Sequence, residues 1–95
     1  MKEATPMTRK LNSMPYAQAC VRIEGDTLAL ISYTTPVIIV DAEGWLICTG
    51  TYSNTTRRHI GRFMHEYGYG SYQLAKYLYE HKMKYNIYTG EVVEL

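Results

Sequence analysis

The stretch Tyr52–Tyr67, reading YSNTTRRHIGRFMHEY, constrains this chain more than any other. It opens on hydroxyl and amide side chains that accept a hydrogen bond from a free first-turn N–H, so Ser53, Asn54 or Thr55 serves as a helix N-cap. Projected at about 100° per residue, Thr56, Ile60, Phe63, Met64 and Tyr67 fall on one side of the helix. Arg58, Arg62 and His65 fall on the opposite side, with His59 and Glu66 flanking, and Gly68 supplies a C-cap. The chain therefore contains one well-started amphipathic helix with positive charge on its outer side.

A second helix is expected from a Ser71 cap to about Met83, with Leu74, Tyr77, Leu78 and His81 towards the core. Tyr72, Lys76, Tyr79 and Met83 project to its other side. Ahead of the helices lies a block rich in strand formers. Ala19–Glu24 alternates weakly, and Gly25-Asp26 turns the chain into Thr27–Thr34. Thr35-Pro36 then interrupts, because proline lacks a ladder donor. Val37–Val40 is a short apolar strand, and the turn Asp41–Gly44 leads into its partner, Trp45–Thr51. Asn86–Leu95 reads as one short strand or as a ribbon broken at Thr89-Gly90. The expectation is an α+β fold: a small antiparallel sheet of three to four strands, two helices packed on one face and a short C-terminal strand. Residues 1–17, with two prolines and no sustained period, read as a flexible arm, and residues 18–95 as a single domain.

Charge is distributed unevenly although the net value is only +1. Arg57–Lys84 carries six basic residues against Glu66 and Glu80, whereas Cys20–Cys48 sets Arg22 against four acids. A basic helical side and an acidic sheet rim follow. The ten tyrosines, against one Phe and one Trp, suit half-buried and interfacial positions. Cys20 and Cys48 lack a paired-ligand spacing and read as free thiols. Met1–Tyr16 has no continuous apolar run, and no stretch approaches the roughly 20 apolar residues of a membrane helix, so a cytoplasmic protein is expected.

The segments Ser32-Tyr33-Thr34-Thr35-Pro36-Val37 (SYxTxV) and Tyr52–Ile60 (YSxTTxxHI), followed by Phe63 and Glu66-Tyr67-Gly68, resemble a family of small uncharacterised proteins encoded mainly by tailed bacteriophages and mobile elements. The resemblance covers roughly residues 28–68 and carries no established activity. It implies an accessory protein of phage type, acting on host machinery or on the phage's own nucleic acid.

The candidate contact residues are Arg57, Arg58, Arg62 and His65 on the first helix and Tyr72, Lys76 and Tyr79 on the second. Arginines at a helix start bind phosphate or carboxylate bidentately, and tyrosines beside cations anchor bases or protein partners. No base–nucleophile pair, metal-ligand spacing or phosphate loop is present in the sequence, so a non-enzyme without metal or cofactor is expected. A host or phage protein is the expected partner. DNA or RNA is the alternative, and a homo-oligomeric phage assembly component is the third reading, with the oligomeric state left open.

Overall fold

The structure, a computed structural model, describes residues 7–51 and 53–95. The chain forms an antiparallel meander: β1 (Met7–Lys10), β2 (Ala19–Glu24), β3 (Thr27–Ser32), β4 (Thr35–Val40) and β5 (Trp45–Cys48). Two helices follow, α1 (Asn54–Glu66) and α2 (Tyr72–His81), and then β6 (Met83–Asn86) and β7 (Val92–Glu94). All seven strands pair in sequence order in one sheet, so β5 and β6 are neighbours and the helical pair is the connection between them.

This overturns the expected three to four strands. The missing strands come from both ends of the chain. β1 has no alternation because all four of its side chains are exposed; only its ladder with β2, from Met7↔Ile23 to Lys10↔Cys20, makes it a strand. The polypeptide after it is also tied down, with Leu11 fully buried, so residues 7–17 are structured where an arm was expected. Residues 1–6 of that arm lie outside the described residues. At the other end, β6 and β7 both join the main sheet, turning through Asn86, whose side-chain oxygen accepts from the N–H groups of Tyr88 and Thr89.

Thr35-Pro36 is not a break. The β3–β4 turn falls two residues earlier, at Tyr33-Thr34, with Tyr33 in the left-handed region at φ 58°. Pro36 lies inside β4 opposite Ile31, where the register shifts and Val37 becomes an extra residue. A bulge is one of the few places where a sheet tolerates proline. Its consequence is that Val37 and Ile38 are both fully buried.

Register assigns the two faces. Val21, Leu30, Ile38 and Cys48 align on one row and Leu28, Val40, Leu46 and Tyr85 on the next, forming the face covered by the helices. Ile60, Phe63 and Met64 of α1 and Ala75 and Leu78 of α2 close this core. The α1 projection agrees with burial except at His59, which is 1% exposed rather than flanking. For α2 it does not: Ala75 takes the core position, while Tyr77 and His81 stack on each other outside, ring centroids 4.3 Å apart. Tyrosine and histidine are amphipathic, and their rings cover each other in solvent. Met83 belongs to β6, the helix having ended at Lys82 in the left-handed conformation. Among the described residues no helix is long and apolar enough to cross a membrane.

The Asp41–Gly44 turn matches its expectation. Asp41 accepts from the N–H groups of Glu43 and Trp45, and Gly44 turns at φ 90° while its carbonyl accepts from Ile87. A Cβ at Gly44 would lie 2.5 Å from the Tyr88 ring. Gly44→Ala is expected to lose roughly 1–3 kcal/mol of stability in urea unfolding, from backbone strain and displacement of Tyr88.

Candidate functional site

The end of α1 and the start of α2 frame a cleft of about 340 Å³ lined by Arg58, Gly61, Arg62, His65, Gly70, Ser71 and Tyr72. Local sequence explains the construction. Ser53 caps α1 by accepting from the Thr56 N–H at 3.2 Å, which sets the helix phase and turns Arg58, Arg62 and His65 outward. Gly61 lets the second helix approach, since a Cβ there would stand 3.5 Å from Tyr72 Cβ. After α1, the N–H groups of Gly68 and Tyr69 bond back to the carbonyls of His65 and Met64, and Gly68 (φ 73°) and Gly70 (φ 137°) reverse the chain.

Four of the seven expected contact residues thus meet: Arg58, Arg62, His65 and Tyr72. Lys76 is exposed one turn beyond Tyr72 on α2 and extends the same side. Arg57 stays at the start of α1, its guanidinium 3.5 Å from the Asn54 side-chain oxygen. Tyr79 is elsewhere, lining a separate depression with Cys48, Lys82 and Leu95.

The electrostatics of the cleft favour an anion. Neither helix has an acidic residue in its first turn, and the one ion pair among the described residues is Arg22–Glu24, so no carboxylate there neutralises Arg58 or Arg62. In the first turn of α2 the Leu74 N–H bonds to the Ser71 carbonyl at 3.1 Å, and the Ser71 hydroxyl makes no capping bond. Exposed guanidinium groups, a hydroxyl and a tyrosine can bind a carboxylate or phosphate.

Between α1 and β3 lies a polar network that the sequence reading does not contain. Ser32 Oγ, at the end of β3, stands 2.9 Å from His59 Nδ1 and 3.0 Å from Thr56 Oγ1. The Thr56 hydroxyl in turn accepts from Ser53 Oγ at 3.3 Å, and the Tyr33 ring sits 5.9 Å from the His59 ring. Ser32, Thr56 and His59 are each at most 3% exposed. A hydroxyl and an imidazole 27 residues apart are thus hydrogen-bonded to each other inside the core. Burial pushes the His59 pKa below its ordinary 6.5, and the Arg58 charge adds to this. Ser32, Tyr33, Ser53, Thr56 and His59 all belong to the two motifs quoted above, which could have signalled a shared contact. Tyr52, the first residue of the second motif, lies outside the described residues.

A second clasp forms at the other end of α1. Glu66 accepts from the N–H groups of Asn12 and Ser13 at 3.0 and 3.1 Å and from the Ser13 hydroxyl at 3.3 Å. Burial alone would raise its pKa; these donors and the Arg9 charge outweigh it and hold the carboxyl below the ordinary 4.5. Beside it, Phe63, Tyr67 and Tyr69 pack with ring centroids 4.7–5.9 Å apart. Among the described residues, no group of three or more His, Cys, Asp or Glu side chains is arranged to hold a metal.

A family model described as "Family of unknown function (DUF8033)" matches residues 3–81. The chain belongs to this family. The match takes in β1 to β5, both helices and every residue of the cleft. Comparison with curated proteins and with solved structures finds no match.

The two clasps of this DUF8033 protein begin to weaken at different pH values as the medium is acidified. A lowered His59 pKa means that the unfolded chain binds the proton more tightly, so stability is full above about pH 6.5 and declines as pH falls towards the folded value. Melting temperature should therefore drop between pH 7 and 5, and this drop should shrink in His59→Gln. The Glu66 contribution is complete above its unfolded value of 4.5 and is lost only as pH falls through the lower folded one. Glu66→Gln should cost about 1 kcal/mol in urea unfolding at pH 7, and the deficit should close in acid below that value.

Proposed function

We propose that the protein is a non-catalytic interaction module whose α1–α2 cleft receives an acidic side chain or terminus of a partner protein. The observation carrying this reading is the convergence of Arg58, Arg62, His65 and Tyr72 on one cleft, without a carboxylate partner for either arginine among the described residues. Two arginines one helical turn apart leave like charges adjacent, and an external anion relieves that repulsion. The resemblance noted above supports a phage or mobile-element origin, and with it a host protein as the partner.

A protein target fits better than a nucleic-acid strand. The cations are gathered at one compact concavity rather than along a groove, and Tyr79 points to a different depression, so no run of aromatic rings alternates with the arginines. One anchoring tyrosine beside two arginines is a typical hot-spot composition for a protein interface.

Affinity capture with the immobilised chain, followed by a purified-component titration, tests the reading. Capture of a defined protein should weaken by on the order of a hundredfold in Arg58→Glu/Arg62→Glu, with circular dichroism unchanged. Capture that survives this double substitution would overturn the assignment of the cleft. A gel shift with DNA or RNA that weakens steeply as salt rises would replace the protein partner by a nucleic acid.

A further inference from the structure

The α1–α2 cleft holds more positive charge than one carboxylate balances. Arg58 and Arg62 line it one helical turn apart, and His65 joins them from the same helix. The two acids of the helices are engaged elsewhere: Glu66 is held by Asn12 and Ser13, and Glu80 lines the depression beside Tyr79. Among the described residues neither guanidinium has a carboxylate within ion-pair distance. The remaining lining adds donors and open space. The Ser71 hydroxyl makes no capping bond, and Gly61 and Gly70 place bare backbone where a side chain would otherwise stand.

From this we infer that the acidic group the cleft receives is a phosphomonoester, carried on a phosphorylated side chain of the partner protein. The inference rests on the reading of the cleft as a contact for a protein partner. Charge is the first reason. A carboxylate brings a single negative charge and leaves one of two adjacent arginines unbalanced, so their mutual repulsion persists. A phosphomonoester carries about −1.5 to −2 near neutral pH and balances both. The second reason is the number of acceptors. One guanidinium fork occupies both oxygens of a carboxylate, whereas a phosphoryl group presents three terminal oxygens. These accept from Arg58 and Arg62 together and leave an acceptor for the Ser71 hydroxyl, the arrangement by which arginine clusters read phosphorylated segments. The third is size. A cleft of about 340 Å³ takes one phosphorylated side chain, with half-buried Tyr72 lining the same space.

Nuclear magnetic resonance titration of the full chain with inorganic phosphate and, separately, with acetate at fixed ionic strength tests the choice of anion. Phosphate should shift the Arg58 and Arg62 side-chain N–H signals and the Ser71 amide, and bind on the order of tenfold more tightly than acetate. Arg58→Lys/Arg62→Lys keeps both charges but removes the forks. It should lose on the order of tenfold for phosphate and little for acetate, with circular dichroism unchanged. A pool of phosphoserine, phosphothreonine and phosphotyrosine peptides passed over the immobilised chain should be retained, and the same pool after phosphatase treatment should not. Equal affinity for the two anions, or phosphate shifts scattered away from the cleft, would overturn the proposal. Binding of inorganic phosphate without retention of the phosphorylated pool would also overturn it, by placing the phosphate on a small molecule. A captured partner that still binds after phosphatase treatment, yet is lost in Arg58→Glu/Arg62→Glu, would sink the phosphate and leave the cleft as a carboxylate site. Capture indifferent to that double substitution would remove the cleft and the phosphate together.

Discussion

The hydrogen-bonded contact of Ser32 with Thr56 and His59 fixes where the helical layer sits on the sheet, and the rest of the molecule depends on it. Buried polar groups are costly unless they are paired, so α1 has essentially one acceptable phase and position along β3. Sliding or rotating the helix would leave a hydroxyl and an imidazole without partners in the core. With that phase set, Ile60, Phe63 and Met64 point into the sheet and Arg58 and Arg62 point away from it. The same interaction therefore anchors the core and aims the cations. The Glu66 clasp performs a similar task at the helix C-terminus, drawing in the β1–β2 connection and with it the fully buried Leu11.

A two-layer slab only 20 Å thick makes the two broad sides unlike each other. One side is helical, and it concentrates Arg58, Arg62 and His65 at a cleft bounded by glycines. The other is the far face of the sheet, where Ile31, Ile39 and Ile47 stand on the central strands and Lys10, Arg22 and Lys84 towards the edges.

The middle of the chain is the most legible part. β2 to β5, and α1 with its cap somewhere in Ser53–Thr55, follow from alternation, helical period and turn residues. At the ends, where β1, β6 and β7 lie, the local signal fails, because four-residue exposed strands acquire their identity from the ladder they join. Proline misplaces one boundary for a definite reason: Pro36 sits beside a bulge, which the alternation pattern cannot reveal in advance. For the candidate site, projection puts Arg58, Arg62 and His65 together correctly, since i, i+4 and i+7 neighbours are a local property of a helix. Joining Tyr72 to them, and removing Tyr79, required knowing how α2 crosses α1 at Gly61.

By itself, then, the sequence determines what neighbouring residues decide among themselves: a capped amphipathic helix, its positive outer side, the tight turns and the apolar central strands. Only the tertiary structure decides that Ser32 reaches His59, that Glu66 holds residues 12 and 13, and that seven strands form a single sheet. These are contacts between residues 27 or more positions apart, or pairings of strands with no pattern of their own. Their energy comes from desolvated hydrogen bonds and shared burial, which exist only once the layers have met.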